Sequence, residues 1–245
     1  FISAKNILSN SPNAKIYKRF KMKILCVSDF HLGNGTKSDD FAYGDEIKTR
    51  EKALIDFIEA QNADKIYLVG DIYELWQAKM ETIRQVHSKL IKYLENNPKI
   101  EFIKGNHDYD LTGTLSVKFN TDSGKKVIIT HGFQHHKHGK NWFVRFLVYM
   151  MGWVEIVINA DIDKLPTILA KPGDKTKYQK EQRVFAETIL QKYDILICGH
   201  THRPLIENID GKIYANCGTC QWGKLEGILL DTTTDEVSLI TKEAK

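Results

Sequence analysis

Short continuous apolar runs, each closed by a turn-forming or charged residue, recur along this chain. Lys23-Ile-Leu-Cys-Val-Ser28 runs into Asp29, Lys65-Ile-Tyr-Leu-Val69 into Gly70-Asp71, and Ile100-Glu-Phe-Ile103 into Lys104-Gly105. Lys126-Val-Ile-Ile-Thr130 and Asp194-Ile-Leu-Ile-Cys198 repeat the pattern. Such runs predict strands buried on both faces. Between them, Ile47, Ala53, Leu54, Phe57 and Ile58 fall at helical spacing and predict a helix over 47–61. Gln77 to Glu95 reads as one amphipathic helix that stops before Pro98. Leu205 to Ile209 and Lys212 to Ala215 flank Asp210-Gly211, a strong hairpin signal, and Leu225 to Leu230 and Glu236 to Ile240 predict two more strands. The order opens β-α-β-α-β and closes in hairpins, which predicts one α/β domain with a mixed, partly sandwiched sheet.

One segment departs from this scheme. Asn141 to Ile158 is apolar almost all the way round, with Trp142, Phe143, Phe146, Leu147, Met150, Met151 and Trp153 among its residues. Its length is near the lower limit for a membrane helix. Arg145 and Glu155 within it would each cost roughly 2.5–3.5 kcal/mol at a bilayer centre, which argues against spanning. A crossing would also put motifs that must meet on opposite sides of the membrane. Two readings remain: a buried core helix, or a lid whose apolar face meets acyl chains or a membrane surface.

The chain has 245 residues, of which 42% are hydrophobic and 27% charged, enough for one sizeable core and unlike a disordered chain. The net charge of +4 is local: residues 137–192 hold eight Lys and two Arg against three Asp and three Glu. That surplus suits an anionic substrate or anionic lipid and is too small for a nucleic-acid partner. Cys26 and Cys198 lie inside apolar runs. Cys217-Gly-Thr-Cys220 has redox spacing, but it follows a hairpin rather than opening a helix, and no second CxxC completes a zinc site. Low cysteine use without a framework points to a cytoplasmic protein, at most peripheral on the inner face of a membrane. Residues 1–21 are polar and basic, lack a signal peptide's apolar core, and read as an extension before a domain over 22–245 with a helical insertion at about 137–192.

Five fragments close the predicted strands: Asp29-Phe-His31, Gly70-Asp71, Gly105-Asn106-His107-Asp108, His131-Gly132 and Gly199-His200-Thr-His202. Each sets potential ligands past the carboxyl end of a strand, the edge where α/β sheets bind ligands. Singly they read equally well as turns, N-caps or surface histidines. As an ordered set on one edge they ask for a metal centre. Two divalent cations about 3.5–4 Å apart repel unless carboxylates lie near and between them. Imidazole, carboxylate and amide oxygen together suit Mn, with Fe or Zn as alternatives, better than Ca or Mg. Asp29, His31, Asp71, Asn106, His131, His200 and His202 supply seven ligands, enough for two divalent ions sharing one carboxylate.

This set resembles the calcineurin-like metallophosphoesterase superfamily, whose signature is D-x-H, G-D, G-N-H-[DE], a later H and G-H-x-H. The resemblance runs from about Ile24 to Leu239 and implies a four-layer β-sandwich flanked by helices, here with a helical lid insertion. It also implies that Asp29, His31 and His202 hold one ion, that Asn106, His131 and His200 hold the other, and that Asp71 bridges them. His107 becomes the general acid or the stabiliser of the leaving oxygen. Gly70-Asp-Ile-Tyr-Glu-Leu-Trp76, Gly199-His-Thr-His-Arg-Pro204 and Asn216-Cys-Gly-Thr-Cys-Gln-Trp222 are similar to the UDP-2,3-diacylglucosamine hydrolase branch, which cleaves a nucleotide-sugar lipid pyrophosphate. The best-known members of that branch carry Arg where His107 stands, so His107 points to a sibling subfamily.

The expected chemistry is in-line attack on phosphorus by a metal-bridging hydroxide, with His107 giving a proton to the leaving oxygen. Glu74 and Asp108 are both candidates to orient that imidazole. The expected substrate is a phosphorylated small molecule or lipid. A phosphoprotein phosphatase or small-molecule phosphodiesterase is the enzymatic alternative. A scaffold on this fold, as in a retromer subunit, would lack several ligands, whereas all seven stand here. His135, His136 and His138 follow His131 closely and read as surface residues, or as one more group facing the substrate phosphate.

Overall fold

In the strand Lys23–Val27 every side chain after the first is buried, and alternate residues belong to different cores. Ile24 and Cys26 enter a core between two sheets, while Leu25 and Val27 enter another beneath helices. This explains an apolar run without alternation: both faces of the strand are covered. The computed structural model describes residues 16–17, 21–133 and 172–244, with backbone alone for 16–17 and 172–180.

The elements, in chain order, are β1 (Ile16–Tyr17), β2 (Lys23–Val27), α1 (Glu46–Glu59), β3 (Lys65–Val69), α2 (Met80–Val86), α3 (Ser88–Asn96), β4 (Ile100–Ile103), β5 (Ser116–Asn120) and β6 (Lys126–Thr130). Then follow α4 (Pro172–Leu190), β7 (Ile195–Cys198), β8 (Leu205–Ile209), β9 (Lys212–Asn216), β10 (Lys224–Asp231) and β11 (Val237–Glu243). They form a five-stranded sheet, β11-β10-β2-β3-β4, and a six-stranded sheet, β1-β5-β6-β7-β9-β8. The sheets pack face to face through Tyr67, Val69, Val127, Ile129, Ile195, Ile197 and Ile228. Leu54, Phe57, Ile83, Leu90 and Leu94 of α1 to α3 cover the first sheet. Phe185, Ala186, Ile189 and Leu190 of α4 cover the second. The result is the four-layer α/β sandwich that the family resemblance implies. The 141–158 segment, most of the 137–192 insertion and His135, His136 and His138 lie outside the described residues.

Strands β2, β3 and β4 run parallel, as do β6, β7 and β9, so each group delivers its carboxyl ends to one rim. The predicted bounds of β3, β4, β6 and β8 match the observed ones. The β8–β9 hairpin turns at Asp210 (φ 52°) and Gly211 (φ 80°), the double left-handed pair that a two-residue turn requires. Two expectations need correction. One mixed sheet is two sheets. The single helix over 77–95 is two, α2 and α3, broken at His87 (φ −102°, ψ 35°).

The break has a tertiary cause. His87 is fully buried, and its Nε2 lies 2.9 Å from Asp39 Oδ2. Asp39 also accepts the backbone N–H groups of Gly33 (3.1 Å), Gly35 (2.7 Å) and Phe41 (3.1 Å), and so staples the long loop that follows His31. Asp39→Ala should strand several buried donors at once, at roughly 1–3 kcal/mol each. The expected loss is about 3 kcal/mol or more by denaturant unfolding, and a loss below about 1 kcal/mol would contradict the staple.

Candidate metal centre

The rim is assembled by hydrogen bonds between strand-end loops. Asp29 N–H reaches Gly70 O at 3.1 Å and His31 N–H reaches Asp71 O at 3.0 Å, which zips the loops after β2 and β3 together. Gly199 N–H donates to His131 O at 3.1 Å, joining the loops after β6 and β7. The two sheets meet where His200 N–H donates to Asp29 Oδ2 at 2.9 Å. Close approach needs glycine: a Cβ on Gly105 would sit 2.3 Å from the Asp71 backbone nitrogen, and one on Gly199 would sit 2.6 Å from Asp29 Oδ2.

Five of the seven candidate ligands hold a left-handed backbone: Asp29 (φ 56°), His31 (φ 50°), Asp71 (φ 53°), His200 (φ 74°) and His202 (φ 53°). For non-glycine residues this costs on the order of 1–3 kcal/mol apiece, and such strain clusters at functional sites. The side chains it aims converge. His202 Nε2 lies 3.1 Å from Asp29 Oδ1, and His131 Nε2 lies 3.0 Å from Asp71 Oδ2. His31 Nε2 stands 3.9 Å from both Asp29 Oδ1 and Asp71 Oδ2.

Among the described residues, three triads bring one donor atom from each residue within 4.8 Å of the others: Asp29, His31 and His202; Asp71, His131 and His200; and His31, Asp71 and His107. The first two match the ion groupings expected above, apart from the amide of Asn106. Two ligands about 2.1 Å from one ion are separated by roughly 3–4 Å, a range that holds all of these spacings, and the two at 3.9 Å are too long for hydrogen bonds.

The donor chemistry fits as well. His31 Nδ1 lies 2.6 Å from Glu74 Oε2, and His131 Nδ1 lies 2.7 Å from Val69 O. A carboxylate or carbonyl can only accept, so each Nδ1 carries a proton, and once the ring is neutral its Nε2 lone pair faces inward. This carboxylate- or carbonyl-backed imidazole is how metal-binding histidines are held. His31 Nε2 and Asn106 Oδ1 are buried without a hydrogen-bond partner, as ligands of an ion would be.

The groups polarise one another strongly. Burial alone would raise Asp29 and Asp71, yet His202 beside Asp29 and His131 and His107 beside Asp71 hold both carboxyls well below the usual range. Burial would lower His131, but Asp71 pushes it up to about 9. His31 is likewise raised against its burial, by the nearby Asp29 carboxylate and its bond to Glu74. The metal-free rim therefore stores protons on imidazoles that an ion has to displace.

His107 sits beside this cluster with its Nε2 3.9 Å from Asp71 Oδ2. Its Nδ1 lies 2.8 Å from Glu74 Oε1 and 2.6 Å from Oε2, and Trp76 stacks on the ring at 3.7 Å and 31°. Burial raises Glu74, but His107 and His31 outweigh it and bring the carboxyl down to about 2. Asp108 points elsewhere. It accepts the N–H groups of Gly105 and Ile72, both at 2.7 Å, and so shapes the loop. Burial, then the charge of Asp71, raises Asp108 to about 6. Of the two residues considered for orienting His107, Glu74 makes the contact and Asp108 does not.

Sequence reasoning missed three supports. Ser28 Oγ donates to Asp29 Oδ2, Thr219 Oγ1 donates to Asp29 O at 3.0 Å, and Trp76 covers His107. Trp76 was visible as an aromatic two residues from Glu74; nothing local marked the others. The cysteines are buried and free, and burial pushes Cys220 up to about 12, which leaves little thiolate for redox work.

The family model described as the calcineurin-like phosphoesterase superfamily domain matches residues 22–235. A UDP-2,3-diacylglucosamine hydrolase of Yersinia pestis is 24% identical over 215 residues, covering 75% of this chain and 87% of that protein. One from Blochmanniella pennsylvanica is 26% identical over 217 residues, covering 77% and 82%. Among solved structures, an archaeal phosphodiesterase aligns over 90% of this chain and all of that one, with 20% identity and a TM-score of 0.47.

Proposed function

We propose, from the premise that the chain belongs to the calcineurin-like phosphoesterase superfamily, that this metal-dependent phosphoesterase cleaves a phosphate ester or pyrophosphate with two divalent ions side by side on the rim. The observation that carries the reading is Asp71. Its carboxylate belongs to two donor triads at once, one with His131 and His200 and the other with His31 and His107. Asp29, His31 and His202 would hold one ion, Asn106, His131 and His200 the other, and Asp71 would serve both. The nitrogen-and-oxygen donor set favours Mn, Fe or Zn. Such a pair of ions, when bound, acidifies a water and neutralises charge on the phosphoryl oxygens.

The chain's own part is to place a proton. Glu74 fixes the His107 ring through Nδ1, and Trp76 shields its face. Nε2 is left facing the centre and can pass a proton to the leaving oxygen as its bond to phosphorus breaks. The energetic task of the rim residues is to hold these groups in one geometry, since misplacement by about 1 Å can cost about 10²-fold in rate.

The substrate we infer has an anionic head and an apolar tail. Two features support this: the relatives named UDP-2,3-diacylglucosamine hydrolase, and the apolar segment 141–158 with its basic flanks. No helix among the described residues is long and apolar enough to cross a membrane. Contact with lipid through 141–158 would be peripheral, since Arg145 and Glu155 within it oppose spanning. Assay with Mn²⁺ against p-nitrophenyl phosphate, bis-p-nitrophenyl phosphate and a UDP-sugar lipid tests the reading. Preferred turnover of the lipid pyrophosphate is expected. Preference for either small ester would overturn the substrate class, and no metal-dependent turnover of any would overturn the reaction.

Ion binding should also release protons. His131, pushed up to about 9, should carry a second proton at pH 7 in the metal-free protein, and His31 is shifted in the same direction. A ligand must be neutral, so ion affinity should rise with pH toward about 9 and fall below neutrality. Calorimetric titration in buffers of different ionisation enthalpy should show at least one proton released per chain at pH 7. No release would contradict the raised His131 and show that its ring is already neutral at pH 7.

A further inference from the structure

Glu74 touches two imidazoles rather than one. Its Oε2 lies 2.6 Å from His31 Nδ1 and 2.6 Å from His107 Nδ1, and the two rings meet nearly edge to face, 4.5 Å apart at 76°. Both Nδ1 atoms therefore point at one buried carboxylate, and both Nε2 atoms point away from it. Each Nε2 ends 3.9 Å from the same atom, Asp71 Oδ2. One carboxylate thus sets the tautomer and the aim of a residue we assign as an ion ligand and of the residue we assign to the leaving oxygen. Glu74 is 5% exposed, so water is a poor substitute acceptor for either ring.

We propose that Glu74 is a positioning residue that couples occupancy of the Asp29–His31–His202 ion site to leaving-group protonation by His107. The coupling is geometric. A carboxylate drawn toward an ion-bound His31 cannot move independently of its bond to His107, and the reverse holds. The proposal rests on the two-ion reading above and adds to it a residue that holds no ion. Because the two imidazoles share one acceptor, their loss should not be additive.

The test uses Mn²⁺ as probe on the full chain, with Glu74→Gln, His107→Ala and the double variant. Wild type must first bind two Mn²⁺ and hydrolyse a p-nitrophenyl ester; if it does not, the two-ion reading fails, not the coupling. Given that, Glu74→Gln should weaken one Mn²⁺ by about 10–100-fold, the span for removing a carboxylate behind a metal-bound histidine, and spare the other. It should also make rates more dependent on the leaving group, as His107→Ala does, and add little to that dependence in the double variant. Glu74→Asp is one methylene short of both rings and should rescue neither effect in full. If Glu74→Gln keeps both Mn²⁺ affinities, or loses one ion with a wild-type leaving-group dependence, the coupling is overturned. Should Glu74→Gln fail to fold, nitrogen-15 correlation spectra of zinc-loaded wild type decide. Protons on Nδ1 of both His31 and His107 support the shared acceptor, and a His107 protonated at Nε2 alone refutes it.

Discussion

Replacing Asp71 by Asn should strip both ions and lower turnover by about 10³-fold or more, on the order of 4 kcal/mol of transition-state stabilisation. The change is nearly isosteric, so the fold should survive it. What disappears is a buried charge that three imidazoles rely on: His131 at 3.0 Å, and His31 and His107 at 3.9 Å. Asn also turns an N–H group toward lone pairs that should face a cation. Because Asp71 lies beside both His131 and His31, which are assigned to different ions, the loss should not be confined to one ion. Elemental analysis after dialysis should find well under one equivalent of metal per chain. Two retained ions with near-normal turnover would remove Asp71 from the position assigned to it.

His107→Ala should behave differently. We expect both ions to stay, because Asp29, His31, Asp71, Asn106, His131, His200 and His202 are untouched, while turnover falls by about 10²–10⁴-fold, the usual reach of general acid catalysis. The loss should shrink with a good leaving group such as p-nitrophenol, which departs without a proton. His107 also lies in a triad with His31 and Asp71, which gives a second reading in which it is itself a ligand. The two readings separate cleanly. A ligand's loss should cost an ion and slow good and poor leaving groups alike.

These residues were legible in the sequence because their signals are local. Each ligand follows an apolar run by a few residues, and a run buried on both faces predicts its own strand. The same property hid the partition into two sheets. Ile24 and Leu25 face different cores, but both are apolar, so no alternation reveals which layer lies on which side. β5 escaped notice because Ser-Val-Lys-Phe-Asn offers only Val117 and Phe119 to the core. The break at His87 depends on Asp39, 48 residues away, and no helix-end signal announces it. The orienting carboxylate shows the limit most plainly. Asp108 adjoins His107 in sequence yet turns to the loop's N–H groups, whereas Glu74, 33 residues earlier, meets the imidazole. Left-handed backbone at Asp29, His31 and Asp71 is equally invisible from residue type, since tertiary contacts impose it.

The central claim is that two ions sit side by side on the shared Asp71 carboxylate. Metal-free protein titrated with Mn²⁺, with bound ions counted and p-nitrophenyl ester hydrolysis followed in parallel, tests it most directly. The account predicts two equivalents bound per chain, with activity rising to its plateau as the second is filled. Saturation at one equivalent, or hydrolysis that proceeds unchanged without added metal, would contradict it.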